Sequence, residues 1–394
     1  MDKRSIKDLE VSEKKVLVRV DFNVPLDKQG NITDDKRIKA ALPTINYLLD
    51  NGAAVILMSH LGRPKGENKA AFSLKPVAKR LSALLDKKVL MMDDCIGSEV
   101  KNAAGTLKPG QVMLLENTRF YEEEKKNAPE FAQKLASLAD IFINDAFGTA
   151  HRAHASNVGV AELLPSAIGF LIEKEIEFLD KALYEPEKPY TAILGGAKVS
   201  DKIELINQFM DRADHILIGG AMMYTFLQAL DYSTGKSLVE EDKIEAARAI
   251  MERAKEKGVD FLLPEDTVVA KEIAEDAEYH SVPVNAIPDG MIGLDIGRLT
   301  VMKYTDIIKS SKTVVWNGPM GMFEIHSFSH GTRGIAKAVA ACSGITIIGG
   351  GDSAAAIEQF GFADKVSHIS TGGGASLEYL SGKDLPGIAV IPDK

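Results

Sequence analysis

Cysteine is almost missing from this chain. Only Cys95 and Cys342 occur in 394 residues, in no C-x-x-C pair. A disulfide framework and a cysteine-built zinc centre are thereby excluded, and two reduced thiols in a cytoplasmic protein are expected. Positive charge is short as well: the net charge is −9, which argues against nucleic acid or an anionic membrane as partner. Apolar runs are brief, AAVILM at 53–58 being among the longest, far below the length that spans a bilayer. The opening MDKRSIKDLEVSEKKV has charges but no apolar h-region, so no secretory signal is expected. No G-x-G-x-x-G follows a strand, which weighs against a Rossmann dinucleotide site. STGKS at 233–237 looks like the end of a Walker A loop, but Leu230 stands where glycine is required, and a surface turn is expected there. Hydrolysis lacks a Ser–His–Asp set or a carboxylate pair. His151 and His154 lie i, i+3 near Asp145 without a third ligand motif, too little for a zinc site.

What is present is a regular alternation. Short β-rich apolar runs fall at 15–23, 53–62, 88–95, 111–119 and 140–148, then at 191–198, 215–222, 260–266, 313–320 and 345–353. Segments of helical period separate them. Strands apolar on both faces, alternating with amphipathic helices, predict an α/β protein with two doubly wound parallel-sheet domains. Between the halves, Phe170, Leu171, Ile172, Ile176, Leu179 and Leu183 form one face of a helix halted by Pro186 and Pro189. The chain is therefore read as domain 1–170, connecting helix 171–185 and domain 186–375.

In such sheets ligands bind beyond the carboxyl ends of the strands. The two halves end their strands differently. The first half ends in Asp21, Asn23, His60, Arg63, Arg119, Asn144 and Asp145; the second ends in Gly195-Gly196, Gly219-Gly220, Gly318 and Gly349 to Gly351. Only twelve arginines occur against thirty-five lysines, so their placement carries information. Arg37, Arg63, Arg119 and Arg152, with His60, Asp21 and Asn23, suit a small polyanion carrying a hydroxyl. Bare backbone at a strand–helix turn suits phosphate. In GGAKVSDK, Lys198 and Lys202 are spaced i, i+4, which places both ammonium groups on one face of a helix opening after the Gly-Gly turn. Asp352, after the triplet Gly349 to Gly351, suits Mg²⁺ held jointly with phosphate oxygens, or equally a helix N-cap. The second triplet, Gly372 to Gly374, offers amides alone, which suits developing negative charge.

Eight segments in this order resemble the phosphoglycerate kinase family, and together they cover essentially the whole chain. RVDFNVPL (19–26), SHLGRPKG (59–66), LLENTRF (114–120) and NDAFGTAHRAHAS (144–156) resemble its substrate-lobe motifs. GGAKVSDK (195–202), VVWNGPMGMFE (314–324), IGGGDSAAA (348–356) and STGGGASLE (370–378) resemble its nucleotide-lobe motifs. The resemblance implies reversible transfer of a phosphoryl group from 1,3-bisphosphoglycerate to Mg-ADP, giving 3-phosphoglycerate and ATP, in glycolysis and gluconeogenesis. It implies in-line transfer after domain closure, by a cytoplasmic monomer. It further implies that Asp21, Asn23, Arg37, His60, Arg63, Arg119 and Arg152 hold the phosphoglycerate. Arg37, Lys198 and the amides of Gly372, Gly373 and Gly374 would act on the phosphoryl group in flight. Gly196, Lys202, Gly293, Asn317, Glu324, Gly350, Gly351, Asp352 and Ser353 would line the nucleotide, with Asp352 at Mg²⁺. The tail, 376–394, is expected to return to the first domain. Ala221, Arg298 and Met322 depart from the family's usual residues, and none removes a charge that the chemistry needs. A nucleotide-cofactor dehydrogenase and a two-lobed binding protein for a phosphorylated metabolite stand as alternatives. Nicotinamide-dependent turnover would indicate the first, and binding without turnover the second.

Overall fold

The computed structural model describes residues 2–64 and 70–394, so Lys65 and Gly66 of the SHLGRPKG segment lie outside the described residues. Contacts group the chain into two units: residues through Glu177 together with Asp384–Lys394, and Phe178–Lys383.

The first unit is built on six strands: β1 (Lys15–Val20), β2 (Ala54–Met58), β3 (Val89–Met91), β4 (Val112–Leu114), β5 (Ile141–Asp145) and β6 (Ser166–Ile168). Their order is β3-β4-β2-β1-β5-β6, all parallel. Helices cover the sheet, so the central strands are buried along their length, as their unbroken Val/Ile/Leu runs require. The Lys36–Asp50 helix buries Ile38, Ala41, Ile45 and Leu48, a spacing that marks one face of a 3.6-residue helix. Parallel register carries Arg19 alongside Met58 and Val20 alongside Asp145. The polar residues that follow these strands therefore emerge at a single sheet edge.

The tail belongs to this unit. Arg4 N–H donates to the Pro392 carbonyl at 2.9 Å and Gly387 N–H to the Ala150 carbonyl at 2.8 Å. Asn144 Nδ2 donates to the Gly387 carbonyl at 2.7 Å. The unit's share of the tail begins at Asp384, later than the 376 expected. The Gly374–Leu380 helix stays with the second unit, where the Tyr379 hydroxyl donates to the Asp180 carboxylate. The connecting helix runs Phe170–Leu183. Of the predicted apolar face it buries Ile172, Ile176, Leu179 and Leu183, and it buries Glu175 and Ala182 as well.

The second unit carries a six-stranded parallel sheet of its own. Its strands are β7 (Tyr190–Leu194), β8 (His215–Ile218), β9 (Asp260–Leu262), β13 (Thr313–Asn317), β14 (Ile345–Gly349) and β15 (His368–Ile369). They lie in the order β15-β14-β13-β7-β8-β9. A feature unforeseen in the sequence is a three-stranded antiparallel sheet of β10 (Asp266–Ala270), β11 (Tyr279–Pro283) and β12 (Ile292–Ile296), in the order β11-β10-β12. Its edge strand β11 is largely exposed and polar. A register shift between Val268 and Val269 also breaks the pairing of β10 with β12, so neither pattern stands out along the chain.

Candidate active site

In the first unit the polar edge of the sheet forms a basic cluster. Arg37 Nη1 donates to Asp21 Oδ2 at 2.9 Å, and Asn23 N–H donates to the other Asp21 oxygen at 3.2 Å. Asn23 Oδ1 accepts from Gly62 N–H at 2.8 Å, while Arg119 Nη1 donates to the Gly62 carbonyl at 2.9 Å. The loop after β2 is thus tied to both neighbours. Arg119 is buried, and its Nε has no hydrogen-bond partner among the described residues, the mark of a donor held ready for an oxygen. Burial, with repulsion from Arg19 and Arg152, brings its pKa down to about 10, so the group is still charged at neutral pH. Arg63 and Arg152 are exposed, and Arg152 Nε donates to His151 Nε2 at 3.0 Å.

His60 is buried beneath this cluster, and burial together with Arg19, Arg119 and Arg37 holds its pKa well below the usual imidazole value. His154 is pushed down to about 3, chiefly by burial and then by Arg19 and Arg119. Both rings are neutral. His154 Nδ1 lies 3.8 Å from Glu124 Oε1 and belongs to the arginine network. Three residues that sequence reasoning missed underlie it: Arg19, Ser156 and Glu124, all buried. A signal for the first was available, an arginine flanked by valines near the end of the apolar strand KVLVRV.

The second unit presents backbone and a half-buried cation, Lys202. The glycine turns after β7, β8 and β13 pack on each other. Gly196 N–H donates to the Pro319 carbonyl at 2.9 Å and Gly220 N–H to the Met320 carbonyl at 3.0 Å. A Cβ on Gly318 would sit 2.2 Å from the Gly195 carbonyl oxygen. These glycines serve close backbone approach, so the Gly196 amide, expected to face nucleotide, is already engaged. Gly293 is similar: it is buried in β12, and its N–H donates to Ser237 Oγ at 2.9 Å.

The triplet after β14 differs. Gly350 has φ +89° and precedes the Gly351–Gln359 helix, and a Cβ there would come within 2.7 Å of Asn317 Nδ2. Asn317 Nδ2 donates to the Gly349 carbonyl at 2.7 Å, and its Oδ1 accepts from Lys202 Nζ. Asn317 therefore positions Lys202 through Oδ1 while its Nδ2 holds the glycine turn. Ser353 Oγ is buried and accepts from Gly318 N–H at 2.6 Å, leaving its backbone N–H for a ligand.

Lys198 and Lys202 do not share a helix. The helix begins at Ile203 with Lys202 at its N-cap, because Val199 turns into the core and Glu240 takes the Ser200 N–H at 3.0 Å. Lys198 is exposed. Lys202 is brought down to about 8, by burial, against the opposing pull of Asp201 and Asp352. Gly372 N–H donates to Ser370 Oγ at 3.1 Å, whereas the Gly373 and Gly374 amides have no partner among the described residues. Glu324 is exposed.

Asp352 bears on the expected Mg²⁺. Its carboxylate is exposed in the first turn of the Gly351–Gln359 helix and makes no ion pair among the described residues. No group of three or more His, Cys, Asp or Glu side chains there can hold a metal unaided. One free carboxylate fits a cation that prefers phosphate oxygens and water for its other ligands.

Fixed cations and bare amides at the ends of parallel strands are the equipment of a phosphotransferase on an α/β scaffold, where charge and alignment carry the chemistry. The model of the family described as phosphoglycerate kinase matches residues 6–383. The chain is 58% identical to the phosphoglycerate kinase of Moorella thermoacetica, covering 100% of both chains. It is equally 58% identical to that of Thermosipho africanus, with 100% of this chain and 99% of the relative covered. Among solved structures, phosphoglycerate kinase from Coxiella burnetii superposes with a TM-score of 0.90 at 43% identity, covering 98% of each chain. That from Pyrococcus horikoshii OT3 gives 0.83 at 34%, again covering 98% of each. The chain belongs to the phosphoglycerate kinase family. It is accordingly an enzyme, a kinase of glycolysis.

Proposed function

We propose that this enzyme moves a phosphoryl group reversibly from 1,3-bisphosphoglycerate to ADP, giving 3-phosphoglycerate and ATP, and that it does so by in-line transfer. The observation that carries the reading is the basic cluster of the first unit. Arg37 and Arg119, with Arg19 beneath, surround a neutral His60, a site of permanent charge for a small phosphorylated acid. Asp21 and Asn23 supply the polarity that a hydroxyl needs, and the exposed Arg63 and Arg152 extend the cationic field.

The attacking atom is an ionised oxygen in either direction, a phosphate oxygen of ADP or the carboxylate of 3-phosphoglycerate, so no general base is required. In the proposed mechanism Arg37, Lys198 and the Gly372 to Gly374 segment stabilise the transferring group. Lys202, Gly350, Gly351, Ser353 and Glu324 hold the nucleotide, Asn317 acting through Lys202. Asp352 would hold Mg²⁺, which neutralises phosphate charge when bound. Domain closure about the connecting helix excludes water from the acyl phosphate. The protein acts as a monomer in the cytoplasm.

The deciding assay supplies ATP, 3-phosphoglycerate and Mg²⁺ and traps the acyl phosphate with glyceraldehyde-3-phosphate dehydrogenase and NADH. Turnover is expected, abolished by EDTA and by Lys198→Ala. A folded protein that binds both ligands without turnover would overturn the reading. Arg37→Ala is expected to lower kcat on the order of 100-fold with little change in the KM for ADP; matched losses in both would remove Arg37 from the transition state.

A further inference from the structure

We propose that Arg19 is a positioning residue that fixes His60 as the neutral, Nε2-protonated imidazole, so that His60 serves the anion site as a permanent hydrogen-bond donor and not as a cation. The inference rests on the phosphoglycerate reading only for the identity of the acceptor.

Arg19 is 1% exposed, on the central strand β1, and each of its nitrogens is committed. Nε donates to Ser156 Oγ at 2.8 Å, Nη1 to the Val20 carbonyl, and Nη2 contacts His60 Nδ1 at 3.1 Å. A guanidinium has donors only. His60 Nδ1 must therefore accept, and the ring proton resides on Nε2, which has no protein partner among the described residues.

The cation is balanced through a hydroxyl. Ser156 Oγ accepts from Arg19 and donates to Glu124 Oε1 at 2.5 Å, and Ser156 N–H donates to Glu124 Oε2 at 2.9 Å. Glu124 is fully buried. A charge pair bridged and hydrogen-bonded in this way is rigid, because loosening it leaves a buried charge unpaired. The charged groups facing His60 are Arg19, Arg37 and Arg119, with the neutral His154 beside them, and each of these cations opposes a proton on the ring, as burial does. A neutral donor flanked by permanent cations recognises a carboxylate or hydroxyl oxygen without adding a charge that would vary with pH.

Long-range proton–nitrogen correlation spectra of the ¹⁵N-histidine-labelled enzyme test this directly. His60 is expected to show a protonated Nε2 and a bare Nδ1 from about pH 5.5 to about pH 8.5. A protonated ring, or the Nδ1–H tautomer, would overturn the proposal. Ser156→Ala, which releases the Nε side of Arg19, is expected to broaden or shift the His60 nitrogen signals. An unchanged spectrum would remove Arg19 from the role. Glutamine reproduces the pattern, with Oε1 to accept from Arg19 and Nε2 to donate. Binding of 3-phosphoglycerate by calorimetry should thus weaken less than about threefold in His60→Gln and on the order of tenfold in His60→Ala. Equal losses would mean that His60 acts otherwise. If the unaltered enzyme bound no 3-phosphoglycerate, the substrate reading would fail, while the spectra would still decide the tautomer.

Discussion

Lys202 shows how a single residue can be tuned by what surrounds it. Burial lowers its pKa to about 8, so the free enzyme holds an ammonium group below that pH and a neutral amine above it. A bound phosphate favours the ammonium form. ADP binding at about pH 8.5 is therefore expected to take up a proton, and affinity to fall as pH rises past about 8. Calorimetry in two buffers of different ionisation enthalpy measures this uptake. An absence of uptake, or its persistence in Lys202→Met, would assign the binding charge elsewhere. The presence of a lysine at this turn was legible in GGAKVSDK. Its depressed pKa was not, because the shift comes from burial, which the folded surroundings impose, and one of these neighbours, Asn317, lies over a hundred positions away in the chain.

Among the elements, the connecting helix is tied at its start to the Lys36–Asp50 helix and the first sheet. Phe170 N–H donates to Thr44 Oγ1 at 3.0 Å and Leu171 N–H to Asp145 Oδ1 at 2.9 Å. Burial raises Asp145 to about 7 despite the Leu171 and Ile172 N–H donors, and its Oδ2 is without a partner among the described residues. Between 3.8, the ordinary value, and about 7 the folded chain thus binds a proton that the unfolded chain has released. The resulting stability is fully present at the acid end of that window and is lost as pH rises through about 7. Asparagine keeps the Oδ1 acceptor and cannot ionise. The melting temperature of Asp145→Asn relative to the native enzyme is expected to rise from about pH 4 to about pH 7, followed by scanning calorimetry. A constant difference would show that Asp145 does not titrate in that range. The helix itself was legible from its apolar period, whereas its anchor lies on β5 and left no mark in the helix sequence. The paired glycines after β7 and β8 were equally legible, but their reason was not: they admit neighbouring backbone, which only the meeting of β7, β8 and β13 reveals.

At the scale of the whole molecule, the chain begins and ends on the same unit. Leu385, Ile388 and Ile391 are buried there, and Lys3 pairs with Asp393 at 2.9 Å. Three buried aliphatic side chains contribute on the order of 5 kcal/mol. Removing 384–394 is therefore expected to lower the melting temperature of the first unit by roughly 10 °C or more, with the second unit's transition little moved. A single unshifted transition in calorimetry would contradict this. The sequence by itself determined the alternation of strands and helices, the division into two parallel-sheet domains, and the contrast between arginine-rich and glycine-rich strand ends. These are local matters of period, turn chemistry and residue type, and they are written along the chain. Only the tertiary structure decided which of those groups are free to act. It buried Arg19 and linked it through Ser156 to Glu124, engaged Asn317 and the Gly196 amide, separated Lys198 from Lys202, and added an antiparallel sheet. Burial and hydrogen-bond pairing join residues far apart in sequence, and they exist only once the chain has folded.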